Sequence, residues 1–486
     1  MKAASADGII SAAEMSKLFD DLATELSTHS LTLSASQFAD LELIDANLNR
    51  GEKASSYVTF ITDALIKGNP ANGVWTGGSV STSPLGNLAI GDTATHISEL
   101  DGKWFLGTDL PGMGSQQLTY VPLHNPVFGP TGPSMNDINQ GSLGDCYLLA
   151  TLAEVAFKNP AIIQSMITSN GNPDTYGVRF FVKGVPTYVT VNNDLVSGGD
   201  FFGGTLFNNA NFIWGSLIEK AYAQIQASGI ITGNTYDYGN SFYSIGLGGT
   251  LEDALEEITN ASTITDFVAN GSTWDMVTYN KSIIQQSSIT GLSGKSVLQK
   301  IISCLAHGND LILGSNTNAW DSNGHQTLFA SHAMSIYGYD SATGLIEIRN
   351  PWGTDSGQYW DTTFEVSLDT LLAAGDIITV DNITSSSSPI VSDALASGAA
   401  GLQGTTSIRS FTITDTADMV SYYLDSLASD TKLTSITLTD ATQLPIEATA
   451  YQSVHDNTLL SKITVTYNLT VIGTSGADTL MDTANS

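Results

Sequence analysis

The residue with the clearest potential for chemistry is Cys146, which follows a polar, glycine-containing run over residues 140–145. Apolar residues then recur at helical spacing until Pro160, so the pattern predicts a helix that begins at Cys146. A thiol there lies at the positive end of the helix dipole, where unpaired backbone N–H groups favour the thiolate and can bind an oxyanion. We interpret Cys146 as a nucleophile, because a buried structural cysteine needs no glycine-rich approach.

Three further segments follow the cysteine in a fixed order. They are Trp-Gly-Ser-Leu-Ile-Glu-Lys-Ala-Tyr-Ala over residues 214–223, Ser-His-Ala-Met-Ser-Ile over 331–336, and Arg-Asn-Pro-Trp-Gly over 349–353. Together with Gln-Gly-Ser-Leu-Gly-Asp-Cys over 140–146, they resemble the motifs of calpain-type cysteine proteases. Four matched motifs over roughly half of the chain make this resemblance specific. The chain looks like a bacterial member of the family.

The resemblance implies a role for each matched residue. Cys146 would attack a peptide carbonyl, and His332 would hold its proton and deliver it to the leaving amine. Asn350 would orient the imidazole, and Trp352 would shield their hydrogen bond from water. Gln140 would donate its side-chain N–H to the oxyanion.

The other histidines are predicted to be structural or solvated. His332 differs from them because Asn350 follows it by 18 positions within the Asn-Pro-Trp-Gly run. His325 is the second candidate base, with Asn323 nearby, but it falls in a polar turn that no sheet positions.

The resemblance also implies calcium bound to the protease core. Asp137 and Glu219 match carboxylates of a first calcium site, which backbone carbonyls near Pro130 and Gly132 would complete. Hard oxygen ligands of this kind suit calcium. For Glu219, the alternative is an ordinary charge on a helix surface.

A second calcium site has weaker support. Asp361 matches one family carboxylate and Asp355 another, but Ser and Thr occupy the positions where further acidic ligands are expected. We also find no calmodulin-like calcium domain in the sequence, so any control by calcium would act through the core or its flanking regions.

Composition narrows the range of partners. The chain has 48 Asp and Glu against 17 Lys and Arg, a formal net charge of -31, which argues against nucleic acid and anionic membranes as partners. Its second cysteine, Cys304, falls in an apolar run and is predicted to lie in the core. We find neither an apolar secretory signal near Met1 nor an apolar run long enough for a transmembrane helix.

The 486 residues divide into three regions, since single cores rarely exceed about 250 to 300 residues. Residues 1–120 are predicted to be mainly helical and could serve as a pro-segment over the cleft, a docking module or a structural collar. Residues 121–385 form the predicted protease core, an α+β, papain-like fold in which a helical half packs on a β-rich half.

Residues 386–486 are predicted to form a small α/β module after a serine-rich linker. Strands are expected over 411–414, 433–438 and 463–467, with helical segments over 417–427 and 448–459. Residues 473–480 resemble one calcium-binding β-roll repeat of exported bacterial proteins, and a single repeat cannot bind calcium. We therefore expect the natural chain to continue past Ser486 and to reach the cell surface or exterior without a cleaved signal, with a cytoplasmic location as the alternative.

The sequence thus predicts a calcium-dependent or calcium-modulated cysteine endopeptidase that acts on proteins or peptides through a thioester acyl-enzyme. It would also cleave itself in flexible loops such as residues 198–200. One alternative is a transamidase or ligase on the same fold, in which an amine replaces water. The other is a surface binding protein without activity, against which the complete set of site residues argues.

Overall fold

A computed structural model gives the fold of most of the chain. It describes residues 10–48, 54–79, 82–112, 119–141, 143–197, 212–228, 239–354, 357–383, 390–404, 410–439, 443–447, 459–464 and 468–472. The predicted repeat over 473–480, the helical segment over 448–459 apart from Leu459, the loop over 198–200 and Asp355 lie outside these residues.

The N-terminal region is mainly helical. Its elements are α1 (Ala12–His29), α2 (Ala35–Leu48), α3 (Ser56–Ile66), α4 (Ala94–Asp101) and a short antiparallel pair, β1 (Val74–Trp75) and β2 (Ser83–Pro84). Helix α1 begins at Ala12, because Ser11 and Glu14 form a capping box that satisfies backbone N–H groups at the helix start. The apolar faces of these helices share one core cluster, which includes Phe19, Ile61 and Phe105.

The helical half of the core contains both predicted helices. Its elements are β3 (Thr119–Pro122), α5 (Cys146–Lys158), α6 (Pro160–Met166), β4 (Ile167–Ser169), β5 (Thr175–Val182), β6 (Val185–Asn192), β7 (Asp194–Ser197), α7 (Trp214–Ile225), α8 (Phe242–Ile245) and α9 (Leu251–Thr259). Helix α5 starts at Cys146, as the apolar spacing predicts, and β5 and β6 form an antiparallel hairpin.

The β-rich half is one antiparallel sheet of eight strands, in the order β10-β9-β8-β17-β11-β14-β15-β16. Its elements are β8 (Thr263–Asn270), β9 (Thr273–Asn280), β10 (Gln285–Leu292), α10 (Gly294–His307), β11 (Leu311–Ser315), β12 (Ala319–Trp320), β13 (Gln326–Leu328), β14 (His332–Asp340), β15 (Leu345–Arg349), β16 (Thr363–Val366), α11 (Leu368–Ala374) and β17 (Ile377–Asp381). Helix α5 packs against β14, where Ser335 donates a hydrogen bond to the carbonyl of Ala150 at 2.8 Å. The predicted α+β class is confirmed.

The C-terminal region is a small α/β unit with parallel strands. Its elements are β18 (Ile390–Ala394), α12 (Ala399–Gly404), β19 (Ser410–Asp415), α13 (Ala417–Tyr422), α14 (Leu424–Ala428), β20 (Leu433–Leu438), β21 (Gln443–Glu447) and β22 (Asn468–Ile472). Of the strand predicted over 463–467, residues 465–467 lie outside the described residues, whereas Ile463 forms an isolated bridge with Ile436 and Lys462 belongs to a short 3-10 turn.

The N-terminal region packs on the β5–β6 hairpin of the core. The Tyr57 hydroxyl lies 2.7 Å from Thr190 Oγ1 and accepts a hydrogen bond from Asn170 Nδ2 at 2.7 Å. Aromatic rings of Tyr57 and Phe60 contact that of Tyr188. The described residues that line the catalytic cleft all come from beyond position 138, so this contact lies elsewhere on the core.

Among the described residues, no single helix is long and apolar enough to cross a membrane. Helices α5 and α6 would satisfy the length and composition together, but they are bent by 118° relative to each other.

We expect Tyr57→Phe to lower the free energy of unfolding by about 1–2 kcal/mol, because it removes a buried hydroxyl that makes two hydrogen bonds. Chemical denaturation followed by fluorescence would measure the change. Tyr422→Phe is the control, since Tyr422 is 77% exposed and lies in the C-terminal region. Equal stability of the two variants would show that the N-terminal region adds little to the core.

Candidate active site

Cys146 is the first residue of α5, and a glycine-rich loop over residues 246–249 packs against that end of the helix. A Cβ atom at Gly144 would lie 2.4 Å from the carbonyl oxygen of Gly246, and one at Gly249 would lie 2.4 Å from the ring of Tyr147. Larger residues would therefore push the loop away from the cysteine. This loop forms one wall of the cleft into which Cys146 opens.

His332 and Asn350 are brought together by two neighbouring strands. His332 begins β14 and Asn350 directly follows β15, and the two strands pair in antiparallel register with Ser335 opposite Arg349. His332 Nε2 lies 2.9 Å from Asn350 Oδ1, and Oδ1 also accepts a hydrogen bond from the backbone N–H of Trp352 at 3.0 Å. Since that backbone donor fixes Oδ1 as an acceptor, Nε2 carries the proton and Nδ1 is left free to accept one.

The sulfur of Cys146 lies at the start of the same strand. It hydrogen-bonds to the backbone of Ala333, the residue after His332, and Cys146, His332 and Ala333 line one cleft. The structure therefore brings together the three residues that the sequence analysis selects, although they lie as much as 204 positions apart (350 − 146).

Aromatic rings cover the His332–Asn350 hydrogen bond. The Trp352 ring centroid lies 4.8 Å from that of His332, and Phe329 lies 5.8 Å from His332 and 4.4 Å from Trp352. His332 is 7% exposed. Burial lowers the pKa of His332 to about 4, although the bond to Asn350 opposes that shift.

The electrostatics of Cys146 differ from the sequence-based expectation. Burial raises the pKa of the Cys146 thiol to about 11. The neighbouring charge of Asp145 adds to the rise, whereas backbone hydrogen bonds to Ala333, Tyr147 and Cys146 itself lower the pKa by less. The backbone donors at the helix start favour the thiolate, but desolvation outweighs them, so the neutral thiol is the favoured form.

Gln140 lines the cleft, but its amide group is already engaged. Its Nε2 donates to the carbonyl oxygen of Leu143 at 2.7 Å and to Asp145 Oδ1 at 3.2 Å. An amide nitrogen has only two hydrogens. Donation to an oxyanion would therefore require one of these two bonds to break.

The residues of the predicted first calcium site lie behind the nucleophile. Asp137 Oδ2 accepts hydrogen bonds from Trp214 Nε1 at 2.9 Å and from the backbone of Ser134 at 2.8 Å. Glu219, on the same helix as Trp214, is buried and hydrogen-bonds with the Asp145 carboxyl.

Burial raises the pKa of Asp145 to about 7, and it also raises the pKa of Asp137. The backbone carbonyl oxygens predicted as calcium ligands near Pro130 and Gly132 belong to a turn in which the Gly132 N–H donates a hydrogen bond to Gly129 O. The carboxyl oxygens of Asp137 and Glu219 and the carbonyl oxygens of this turn are the ligand types that suit calcium.

Asp361, of the predicted second site, has a different partner. Its Oδ1 lies 2.9 Å from His325 Nδ1, and ligand atoms of Asp321, His325 and Asp361 all lie within 4.8 Å of one another. His325, the second candidate base, is 53% exposed on its side chain and is paired with Asp361 rather than with Asn323.

The cleft has a volume of about 1320 Å³ and extends beyond Cys146 and His332. Its lining also includes residues that the sequence analysis did not select: Leu251, Glu252, Tyr359, Trp360, Ile377 and Thr379. The glycine-rich run over 246–249 before an amphipathic helix was the one sequence signal that could have indicated this wall.

Comparison with known proteins agrees with this geometry. The model of the calpain family of cysteine proteases matches residues 116–367, slightly more than half of the chain. Calpain clp-4 of Caenorhabditis elegans is 26% identical over 245 residues, which is 48% of this chain and 29% of that protein. Calpain-13 of Rattus norvegicus is 27% identical over 302 residues, 57% of this chain and 39% of that protein.

The calpain-1 catalytic subunit of Mus musculus is 26% identical over 301 residues, 57% of this chain and 35% of that protein. The matched segments thus span well under half the length of these curated relatives. The match over residues 116–367 coincides with the part of the fold that holds Cys146, His332 and Asn350. This chain belongs to the calpain family of cysteine proteases.

Proposed function

We propose that this protein is a cysteine endopeptidase in which Cys146, His332 and Asn350 act as the catalytic triad. The observation that carries the proposal is the 2.9 Å contact between His332 Nε2 and Asn350 Oδ1, next to the Cys146 sulfur in an open cleft. It leaves the second ring nitrogen of His332 able to take a proton. Family membership supports a peptidase, and the buried Asn350 supports a neutral third member of the triad.

In this mechanism the Cys146 proton passes to His332 Nδ1 as the sulfur attacks the carbonyl carbon of the scissile bond. The carbonyl oxygen becomes an oxyanion, bound by the backbone N–H of Cys146 and by Gln140 once its amide is released. The C–N bond then breaks, the proton on His332 passes to the leaving amine, and a thioester remains on Cys146. Water, deprotonated by His332, hydrolyses the thioester and restores the thiol.

Burial of both groups favours the neutral thiol and the neutral imidazole in the resting cleft. Proton transfer would therefore accompany attack on the substrate rather than precede it. Asn350 would stabilise the imidazolium that forms, and the ring of Trp352 would exclude water from their hydrogen bond.

We further propose that calcium regulates this site through Asp137 and Glu219. Bound calcium would supply positive charge that offsets the burial of these carboxyl groups. Glu219 and Gln140 both hydrogen-bond with Asp145, which precedes the nucleophile. A change at Glu219 would thus reach Gln140 through Asp145 and could free its amide for the oxyanion.

Cys146→Ala should lower kcat on an unfolded protein substrate by about 10³-fold or more, because the nucleophile is lost. Mass analysis of the products separates hydrolysis from transfer to an added amine. Cys304→Ala is the control and should keep wild-type activity, since Cys304 lies on α10, away from the cleft. Equal activity of Cys146→Ala and the wild type would sink the proposal.

In a Cys304→Ala background, the rate at which iodoacetamide alkylates Cys146 should rise about tenfold per unit between pH 6 and 9 in EDTA. The reactive form is the thiolate, and its fraction increases with pH until the pH reaches the thiol pKa of about 11. Mass spectrometry of the alkylated peptide gives the rate. A rate that is constant across this range would instead indicate a preformed thiolate–imidazolium pair.

Asp137→Asn should raise the calcium concentration for half-maximal activity by about tenfold or more, because one ligand charge is lost. The asparagine oxygen can still accept the bonds from Ser134 and Trp214, so the local fold is kept. Calorimetric titration with calcium would measure binding separately from activity. Asp21→Asn, on the exposed face of α1, is the control. If EDTA left the activity of the wild type unchanged, the proposed regulation by calcium would be wrong.

A further inference from the structure

The cleft continues past the catalytic residues to an acidic end. Leu251 and Glu252, at the start of α9, line this end together with Ile377 and Thr379 of β17. Among the described residues that line the cleft, Glu252 is the one carboxylate, and the lining includes neither Lys nor Arg.

Glu252 is backed by a buried carboxyl group. Asp266 of β8 is 3% exposed and lies directly opposite Thr379 in the sheet, which donates a hydrogen bond to Asp266 Oδ1 at 2.8 Å. Asp266 also hydrogen-bonds with Glu252 and with Tyr279 of β9. Glu252 is thus bonded to Asp266, which is itself held by residues of the two neighbouring strands β17 and β9.

The charge state of this pair follows from its surroundings. Burial and then the charge on Glu252 together raise the pKa of Asp266 to about 8. At neutral pH Asp266 therefore keeps its proton and can donate it to Glu252, so the pair carries a single negative charge, which faces the cleft through Glu252. Asp266 also bonds to the neutral Thr379 and Tyr279, and burial and the charge on Glu252 raise the pKa of the neighbouring Asp253.

The approach to Glu252 is apolar. Ala333, Gly314 and Ile377 are neighbours across β14, β11 and β17, and all three line the cleft, as does Leu251 directly before Glu252. Lysine and arginine side chains have the same order of properties, an aliphatic stem followed by a cation. An uncharged apolar side chain would fill the approach and exclude water but would bring no opposite charge to the Glu252 carboxylate, which is costly.

We propose that this end of the cleft is a subsite that selects a lysine or arginine side chain of the substrate, with Glu252 as the residue that binds the cation. The inference rests on the proposed peptidase function and adds its substrate class. The formal net charge of -31 acts in the same direction, because it attracts basic polypeptides over longer range.

Matched peptides that carry arginine, lysine or norleucine at each position before the scissile bond would test the subsite. Norleucine has a similar stem without the charge. The wild type should show kcat/KM at least about tenfold higher for the basic residues at one position, the size expected for one desolvated charge pair. Glu252→Gln should reduce that preference to less than twofold while it keeps the activity on the norleucine peptide.

Asp369→Asn is the matched control, because Asp369 also lies in the first turn of a helix but is exposed and outside the cleft. It should keep the wild-type preference. Cleavage without a preference for basic residues, or a preference that survives Glu252→Gln, would overturn the subsite while the peptidase function stands.

Binding separates the two ideas in the other direction. Calorimetry with the Cys146→Ala variant should show tighter binding of the arginine peptide than of the norleucine peptide, and Glu252→Gln in that background should remove the difference. If this difference in binding were found but the wild type cleaved none of the peptides, the subsite would be supported and the peptidase function would be overturned. Equal affinities would overturn the subsite whatever the activity.

Discussion

The packing of helix α5 on strand β14 is the constraint on which the site depends. It buries an imidazole and an amide and partly buries a thiol at one boundary between the two halves of the core, where hydrogen bonds within the protein replace those to water. His332 finds Asn350, and the Cys146 sulfur finds the backbone of Ala333. Desolvation keeps the thiol and the imidazole neutral at rest, so the burial that orients them also lowers their resting reactivity.

The same desolvation connects the site to the buried carboxyl groups behind it. Asp145 lies between the nucleophile and Glu219, and it also receives the amide of Gln140. The proposed regulation by calcium and the proposed catalysis would therefore share one network, because a cation bound at Asp137 and Glu219 would change the hydrogen bonds of Asp145 and Gln140.

Local sequence patterns predicted the elements that hold the triad. The apolar spacing after Cys146 predicted the helix start, and the motifs over 331–336 and 349–353 marked His332 at the start of β14 and Asn350 directly after β15. Contacts set by tertiary packing were beyond such patterns: the pairing of His325 with Asp361 and the approach of Glu252 to Asp266. The bonds of Gln140 to Leu143 and Asp145 are local, but they depend on a loop conformation that no periodic pattern predicts. The thiol pKa was misjudged for the same reason, since a helix start is visible in a sequence but the depth of burial is not. The domain limits, the calcium sites, the bacterial origin and the export route stay predictions.

The role of Cys146 as the nucleophile can be tested by trapping the acyl-enzyme. A peptide ester would be mixed with the protein for milliseconds, quenched in acid and analysed by mass spectrometry. We expect an acyl group in thioester linkage on Cys146 and none on Cys304, and we expect the acyl group on Cys146 to be lost when His332 is replaced by alanine. Turnover of the ester with no acyl group on Cys146, or with the acyl group on Cys304, would show that Cys146 is not the nucleophile.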